Sequence, residues 1–267
     1  MADVLVTYRR LVAAQVRAQA QYRLSFVVDV LGSAATTFAD LATILVFFRV
    51  TSSMGGFDLR EAFLMASLAC VAFQLADLVV GNVERVRLYV RTGLFDAILV
   101  RPRAVLPQLL VTNFTVRRVG AVLQGLVVLL VAAVLAPVHW TPARVALFLL
   151  SPIVGAVFFM GLFVGGATVA FYWTESGEFA NAFTYGGREF TTYPMSVYSG
   201  LFRRVFGYGL GFAFVGYYPA LVILGRPDPL GSPAWLGWCT PVAAAVSAGI
   251  AFLLWRTGIR HYRSTGS

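Results

Sequence analysis

The chain has 267 residues, of which 59% are hydrophobic and 12% charged, with a mean hydropathy of +0.78. A soluble domain is about 25% charged and about 45–50% apolar, so this composition favours a bilayer, and six spans of ~20 residues leave no room for a soluble domain. The net charge of +9 rests on 21 basic residues, all arginine; the absence of lysine excludes a Walker A loop and a kinase site, which place a lysine on the nucleotide phosphates.

Residues 3–22 set Val4, Leu5, Tyr8, Leu11, Val12 and Val16 at helical spacing among Arg9, Arg10 and Arg17. That pattern predicts an amphipathic interfacial helix over 1–23, and its arginines argue against a cleaved signal. A first span is expected at Leu24–Phe48 and a second at Ala62–Asn82, with the polar turn Thr51–Asp58 between them. The charged stretch Val83–Arg118 follows, with seven arginines. A third span is expected at Val119–Ala136, a fourth at Val145–Trp173 and a sixth at Leu236–Trp255.

Between the fourth and sixth spans, two courses stand open. Leu201–Leu224 is apolar enough to be a plain fifth span, and hydropathy favours this. In the other course Glu175–Tyr193 crosses, despite Glu178, Arg188 and Glu189, and the second half dips back in as a hairpin. On the plain course the loops on one side hold seventeen arginines and those on the other hold four, which predicts both termini in the cytoplasm.

The stretch after the second span is not featureless. Val86, Val90, Leu94, Phe95, Ile98 and Leu99 recur in short amphipathic runs, interrupted by Gly93 and stopped by Pro102. A short helix with an apolar face and the acidic Asp96 suits docking into a partner's groove, or equally a membrane-surface helix without a partner. Three aspartates, Asp29, Asp40 and Asp77, fall inside expected spans, where a charge costs ~2.5–3.5 kcal/mol on insertion scales. Asp29 and Asp40 share one helical face, and Asp29 and Asp77 lie at similar depth. Either all three line a pathway that attracts cations, or Asp29 and Asp77 pair with inner-leaflet arginines such as Arg23, Arg85 or Arg87, while Asp40, deeper, has no obvious partner.

The residues Val90-Arg-Thr-Gly-Leu-Phe-Asp-Ala-Ile-Leu-Val-Arg-Pro102 resemble the Arg-x-Gly-x-Leu-Asp-x-x-Leu-x-Arg-Pro segment of type-two ABC transporter permeases, nearest to the subgroup containing the viologen exporter permeases. The similarity continues through Phe171–Ser176, Tyr193–Tyr198, Tyr217–Ala220 and the ending Leu254–Ser267. Phe95 stands where the family usually has leucine, and Thr92 where it often has a basic residue. The resemblance implies an all-α integral membrane protein with six transmembrane helices, an N-terminal interfacial helix and a cytoplasmic coupling helix, forming one permease domain over 1–267. It makes 83–103 the coupling region, with Arg91, Gly93, Leu94, Phe95, Asp96, Ile98, Leu99 and Arg101 docking a separate ABC ATPase. It makes 193–224 a re-entrant hairpin, and it implies pairing with a second permease, identical or related, in the plasma membrane.

Other motifs are weaker. Gly207-Tyr-Gly209 lacks the Thr-Val of a potassium filter, and Arg203 and Arg204 precede it. His139 and His261 stand alone on opposite sides, and Cys70 and Cys239 have no metal-ligand or disulfide spacing. No cofactor, metal site or nucleic-acid surface is expected. The function expected is export of hydrophobic or cationic compounds driven by another subunit's ATPase; the rival is an ATP-independent transporter or channel, although no internal repeat supports it.

Overall fold

The computed structural model describes residues 23–102, 104–111, 115–173 and 177–262. The expected interfacial helix, apart from Arg23, and the ending 263–267 lie outside them. Among the described residues all regular structure is helical, save one isolated bridge between Met54 and Phe57. Helix α1 is Arg23–Val50 and α2 is Leu59–Val80. A 3-10 turn, Gly81–Arg85, leads into the short helices α3 (Val86–Arg91), α4 (Leu94–Leu99) and α5 (Val105–Val111). The long helices α6 (Val116–Leu135) and α7 (Pro142–Thr168) follow, then α8 (Gly177–Thr192). Helix α9 (Gly200–Phe202) continues into π-helical turns Arg203–Gly209, α10 is Tyr217–Leu224 and α11 is Thr240–His261.

The helix starts follow local chemistry. Before α2 the Asp58 carboxylate accepts from the Glu61 backbone N–H at 2.8 Å, and the Glu61 carboxylate accepts from that of Asp58 at 2.9 Å, a reciprocal capping box. Thr141 caps α7, its hydroxyl accepting from the Arg144 N–H, and Pro142 occupies the first helical position, where it costs no hydrogen bond. Four helical stretches are long and apolar enough to cross a membrane: Leu59–Arg91, Arg117–Leu135, Pro142–Phe171 and Thr240–His261. Gly200–Gly209 and Phe212–Leu224 would make a fifth if taken as one span, bent by 64° at the break. Gly211 sits in that break at φ +89°, the left-handed region that glycine enters without a steric penalty.

Helix α7 packs against both α2 and α11, while α6 covers another side of α2 and receives α1. Without a hydrophobic drive between lipid-solvated helices, such contacts rest on close fit and small residues. Gly155 lets α7 meet α2 so closely that a Cβ there would lie 2.9 Å from the Cβ of Ala72. Lower on α7, a Cβ on Gly161 would lie 2.8 Å from the backbone of Ser247 on α11, and the Ser247 hydroxyl donates to the Phe158 carbonyl at 2.9 Å. Because backbone blocks the way, Gly161→Val should force α7 and α11 apart and cost about 1–3 kcal/mol, seen as an earlier unfolding midpoint of the purified protein. An unchanged midpoint would show that this crossing is not tight. Aromatic rings complete the core, with Phe73 of α2 edge-on to Phe159 of α7 at 5.2 Å.

Both flanks of the bent pair come to one place. The Ser196 hydroxyl donates to the Gly55 carbonyl at 2.7 Å, and Arg226 donates to the Gly56 carbonyl at 3.0 Å and pairs with the buried Glu61. A side chain on Gly225 would strike Arg144, at the start of α7. Helix α8 is instead beside the turn and short helix that follow α2: a side chain on Gly177 at its start would strike Arg87, and Tyr185 in its middle donates to Glu84 at 3.3 Å. So α8 packs along α2, whereas both flanks of the bent pair contact the α1–α2 loop.

Candidate functional site

The segment 83–102 is held in shape from within the chain. Gly93, at φ +70°, ends α3 and starts α4, and Thr92 ties the turn by donating to the Leu88 carbonyl at 2.8 Å. A Cβ is disfavoured at that φ, so the sharp reversal between the two helices requires glycine. On α4 the Phe95 side chain is fully buried, its ring 5.1 Å from Phe171 and 4.9 Å from Tyr262. Phe171 in turn meets Trp255 of α11 at 5.5 Å. Asp96 accepts from the Tyr262 hydroxyl at 3.0 Å. Burial first, then the Asp96 carboxylate, push that phenol up to about 12, so it remains a neutral donor across the physiological range.

The eight residues expected at the docking surface therefore divide. Arg91, Leu94, Leu99 and Arg101 are exposed, and Val100, which the sequence reading passed over, is 85% exposed. Gly93, Asp96 and Ile98 are half-buried, and Ile98 leans on the core. Phe95 faces inward and offers a partner nothing; it anchors the segment to α11 and to the end of α7. Periodicity alone could not reveal this, because two helices of six residues each, broken at Gly93, fix no common face.

A second polar group is built around Asp77. Arg118, near the start of α6, donates through Nε to the Asp77 carboxylate at 3.2 Å and through Nη1 to Asn82 Oδ1 at 2.8 Å. Asn82 donates onward to the Leu110 carbonyl at 3.2 Å. Among the described side chains Asp77 pairs with Arg118, an arginine 41 positions away, which the packing of α6 on α2 brings near. Asp29 and Asp40 fall on α1 at positions whose side chains lie outside the described set. A cavity of about 170 Å³ lies beside Glu84, Arg87, Asn181 and Thr184, where one Glu84 carboxylate oxygen is buried without a hydrogen bond. Among the described residues no group of three or more His, Cys, Asp or Glu is placed to hold a metal ion.

Residues 34–266 match the family model of the ABC-2 family transporter protein. The chain belongs to the ABC-2 transporter family. Searches of curated proteins and of solved structures gave no match.

An ABC-2 permease is the multi-pass membrane component of an ABC transporter, a transport part rather than a catalyst, and it typically works with an ABC ATPase. In this permease the segment 86–102 has an exposed apolar and basic edge and an anchor in the helices behind it. The anchor escaped sequence reading, although one signal existed. The aromatic residues Phe171, Trp255 and Tyr262 lie near the ends of two expected spans, at the level where Phe95 begins its helix.

Proposed function

We propose that this ABC-2 permease forms the translocation pathway of an ATP-driven exporter for hydrophobic or cationic compounds, with ATP hydrolysed by a separate subunit. The observation that carries the reading is the clamp on α4. With Phe95 locked between Phe171 and Tyr262, a push on Leu94, Leu99 and Val100 moves α7 and α11 rather than a loose loop. ATP-driven closure of the partner would then bias the helices between two packings, inward- and outward-facing. The complete absence of lysine supports an energy source on another polypeptide.

The fold we propose has six crossings, α1, α2, α6, α7, α8 and α11, with residues 193–224 as a re-entrant hairpin. At ~1.5 Å per residue the 28 residues of α1 reach ~42 Å, more than the ~30 Å of hydrocarbon. The hairpin is supported by Ser196 and Arg226 both meeting the loop at Gly55 and Gly56. The arginine bias puts both termini in the cytoplasm of a plasma-membrane protein, with 1–23 in the interface. The nearest subgroup is that of the viologen exporter permeases, and a second permease, identical or related, completes the pathway. Asp77 serves as a structural partner of Arg118, which leaves Asp29 and Asp40 as the acidic groups of a cation pathway.

Co-purification tests the docking surface. With the neighbouring genes co-expressed, an ATPase should accompany the wild type, and Leu94→Glu/Val100→Glu should cut its recovery about a hundredfold, the effect of ~2.7 kcal/mol. Both residues are exposed, so the permease itself should remain folded. Full retention of the ATPase by the variant would remove 83–103 from the interface. Failure of any ATPase to bind would instead favour an ATP-independent transporter.

A further inference from the structure

One cavity lies away from the Asp77 group and the segment 86–102. It has a volume of about 440 Å³, within the ~300–1,000 Å³ typical of ligand pockets. One wall is Gly161, Gly165 and Gly166 of α7, and the opposite wall is Ala243 and Ser247 of α11. Phe183 of α8 closes the back, and the bend at Gly211 and Phe214 forms one end. The mouth is edged by Val242, Val246, Ile250 and Leu254, spaced four apart along α11 and all exposed. On a helix that spacing is a single row, so the cavity opens on the surface that α11 turns to the surrounding medium, which for a membrane span is lipid.

Two features narrow the occupant. The polar side chains on the wall are already engaged: the Ser247 hydroxyl donates to the Phe158 carbonyl, the Cys239 thiol donates to the Trp235 carbonyl at 3.8 Å, and the Tyr208 hydroxyl is hydrogen-bonded with that of Tyr218. Nothing on these walls asks for a charged or hydrogen-bonding ligand. The second feature is shape. From Val242 to Leu254 the mouth extends twelve residues, or ~18 Å of helix, slightly more than the ~15 Å depth of one leaflet. An apolar cavity excludes water, and its lining lacks contact partners until something apolar fills it.

We infer that this cavity holds an acyl chain of a bilayer lipid, with the headgroup left outside the α7–α11 groove. Gly165 makes room on α7, whereas a side chain on Gly161 would meet Ser247 and one on Gly166 would meet Ala180. Gly165 is the useful probe. A Cβ added there would meet only Leu254 at 3.6 Å, an ordinary contact, so a larger residue grows into the cavity rather than into backbone.

The test uses the full chain reconstituted in phosphatidylcholine bilayers that contain a trace of phosphatidylcholine with a photoactivatable diazirine on its acyl chain. Cross-links are mapped by mass spectrometry on α11, with the exposed α6 residues Val127, Val131 and Val134 as an ordinary lipid-facing reference. Wild type should label Ala243 and Ser247 on the cavity wall at least as strongly as the reference. Gly165→Phe should lower the wall labelling about tenfold, equal to ~1.4 kcal/mol of lost occupancy, and leave α6 unchanged. Gly165→Ala, which fills little of the space, should label as wild type does and shows that loss is not general misfolding. Wall labelling below the reference, or labelling that Gly165→Phe leaves intact, would overturn the inference. So would protection of the wall by a free long-chain alcohol in the absence of any lipid cross-link, because the site would then belong to a soluble alkyl compound. No ATP or ATPase enters the experiment, so its failure would leave the exporter reading standing.

Discussion

Phe95→Ala should be among the most damaging single substitutions in the chain, costing about 3–5 kcal/mol of stability, the usual loss when a packed phenylalanine is removed from a core. The ring is fully buried and touches the rings of both Phe171 and Tyr262, so its removal opens a cavity where α4 meets the ends of α7 and α11. Denaturant unfolding of the purified permease should show the loss as a shifted midpoint. Phe95→Leu keeps most of the volume and should cost less than about 1.5 kcal/mol. The comparison with Leu94→Glu/Val100→Glu is the informative one. The exposed pair should lose the ATPase with little effect on stability, whereas Phe95→Ala should lose stability and, with the segment no longer clamped, the ATPase as well. If Phe95→Ala left the unfolding midpoint where it was, the clamp would not exist and the coupling argument would fall with it.

The class of the protein could be read from its composition, and most helices from their apolar runs, because a bilayer demands long apolar helices and forbids almost everything else. Boundaries shifted by about three residues. The second span was expected from Ala62 and begins at Leu59, and the fourth was expected from Val145 and begins at Pro142. In both cases the caps, Asp58 with Glu61 and Thr141 with Pro142, are legible in the sequence but are polar, so hydropathy discounts them. Contacts between distant residues were not legible. Nothing local links Arg118 to Asp77, Tyr262 to Asp96, or Ser196 to Gly55; each depends on which helix lies beside which. The course of 193–224 belongs with these. Its apolar second half has the length of a span, so hydropathy could not show that both of its flanks meet the loop at Gly55 and Gly56.

The other large effect expected is at Arg118, and it bears on what the intramembrane aspartates do. Arg118→Ala would leave the Asp77 carboxylate and the Asn82 amide oxygen without their donor in a mostly buried site, and breaking such a pair from one side costs about 3–5 kcal/mol. Lysine should rescue little. The guanidinium reaches two acceptors at once from fixed directions, Asp77 through Nε and Asn82 through Nη1, and an ammonium has no such fork. Removing both charges together, as Asp77→Leu/Arg118→Leu, should restore much of the stability, because no uncompensated ion remains. A double-mutant cycle read by denaturant unfolding therefore separates the two roles an aspartate can have here. A structural Asp77 gives strong coupling to Arg118, and the double variant still transports. A cargo-binding Asp77 gives weak coupling, and every variant lacking its carboxylate loses transport whatever its stability. The distances, 3.2 Å from Arg118 to Asp77 and 2.8 Å to Asn82, favour the first outcome.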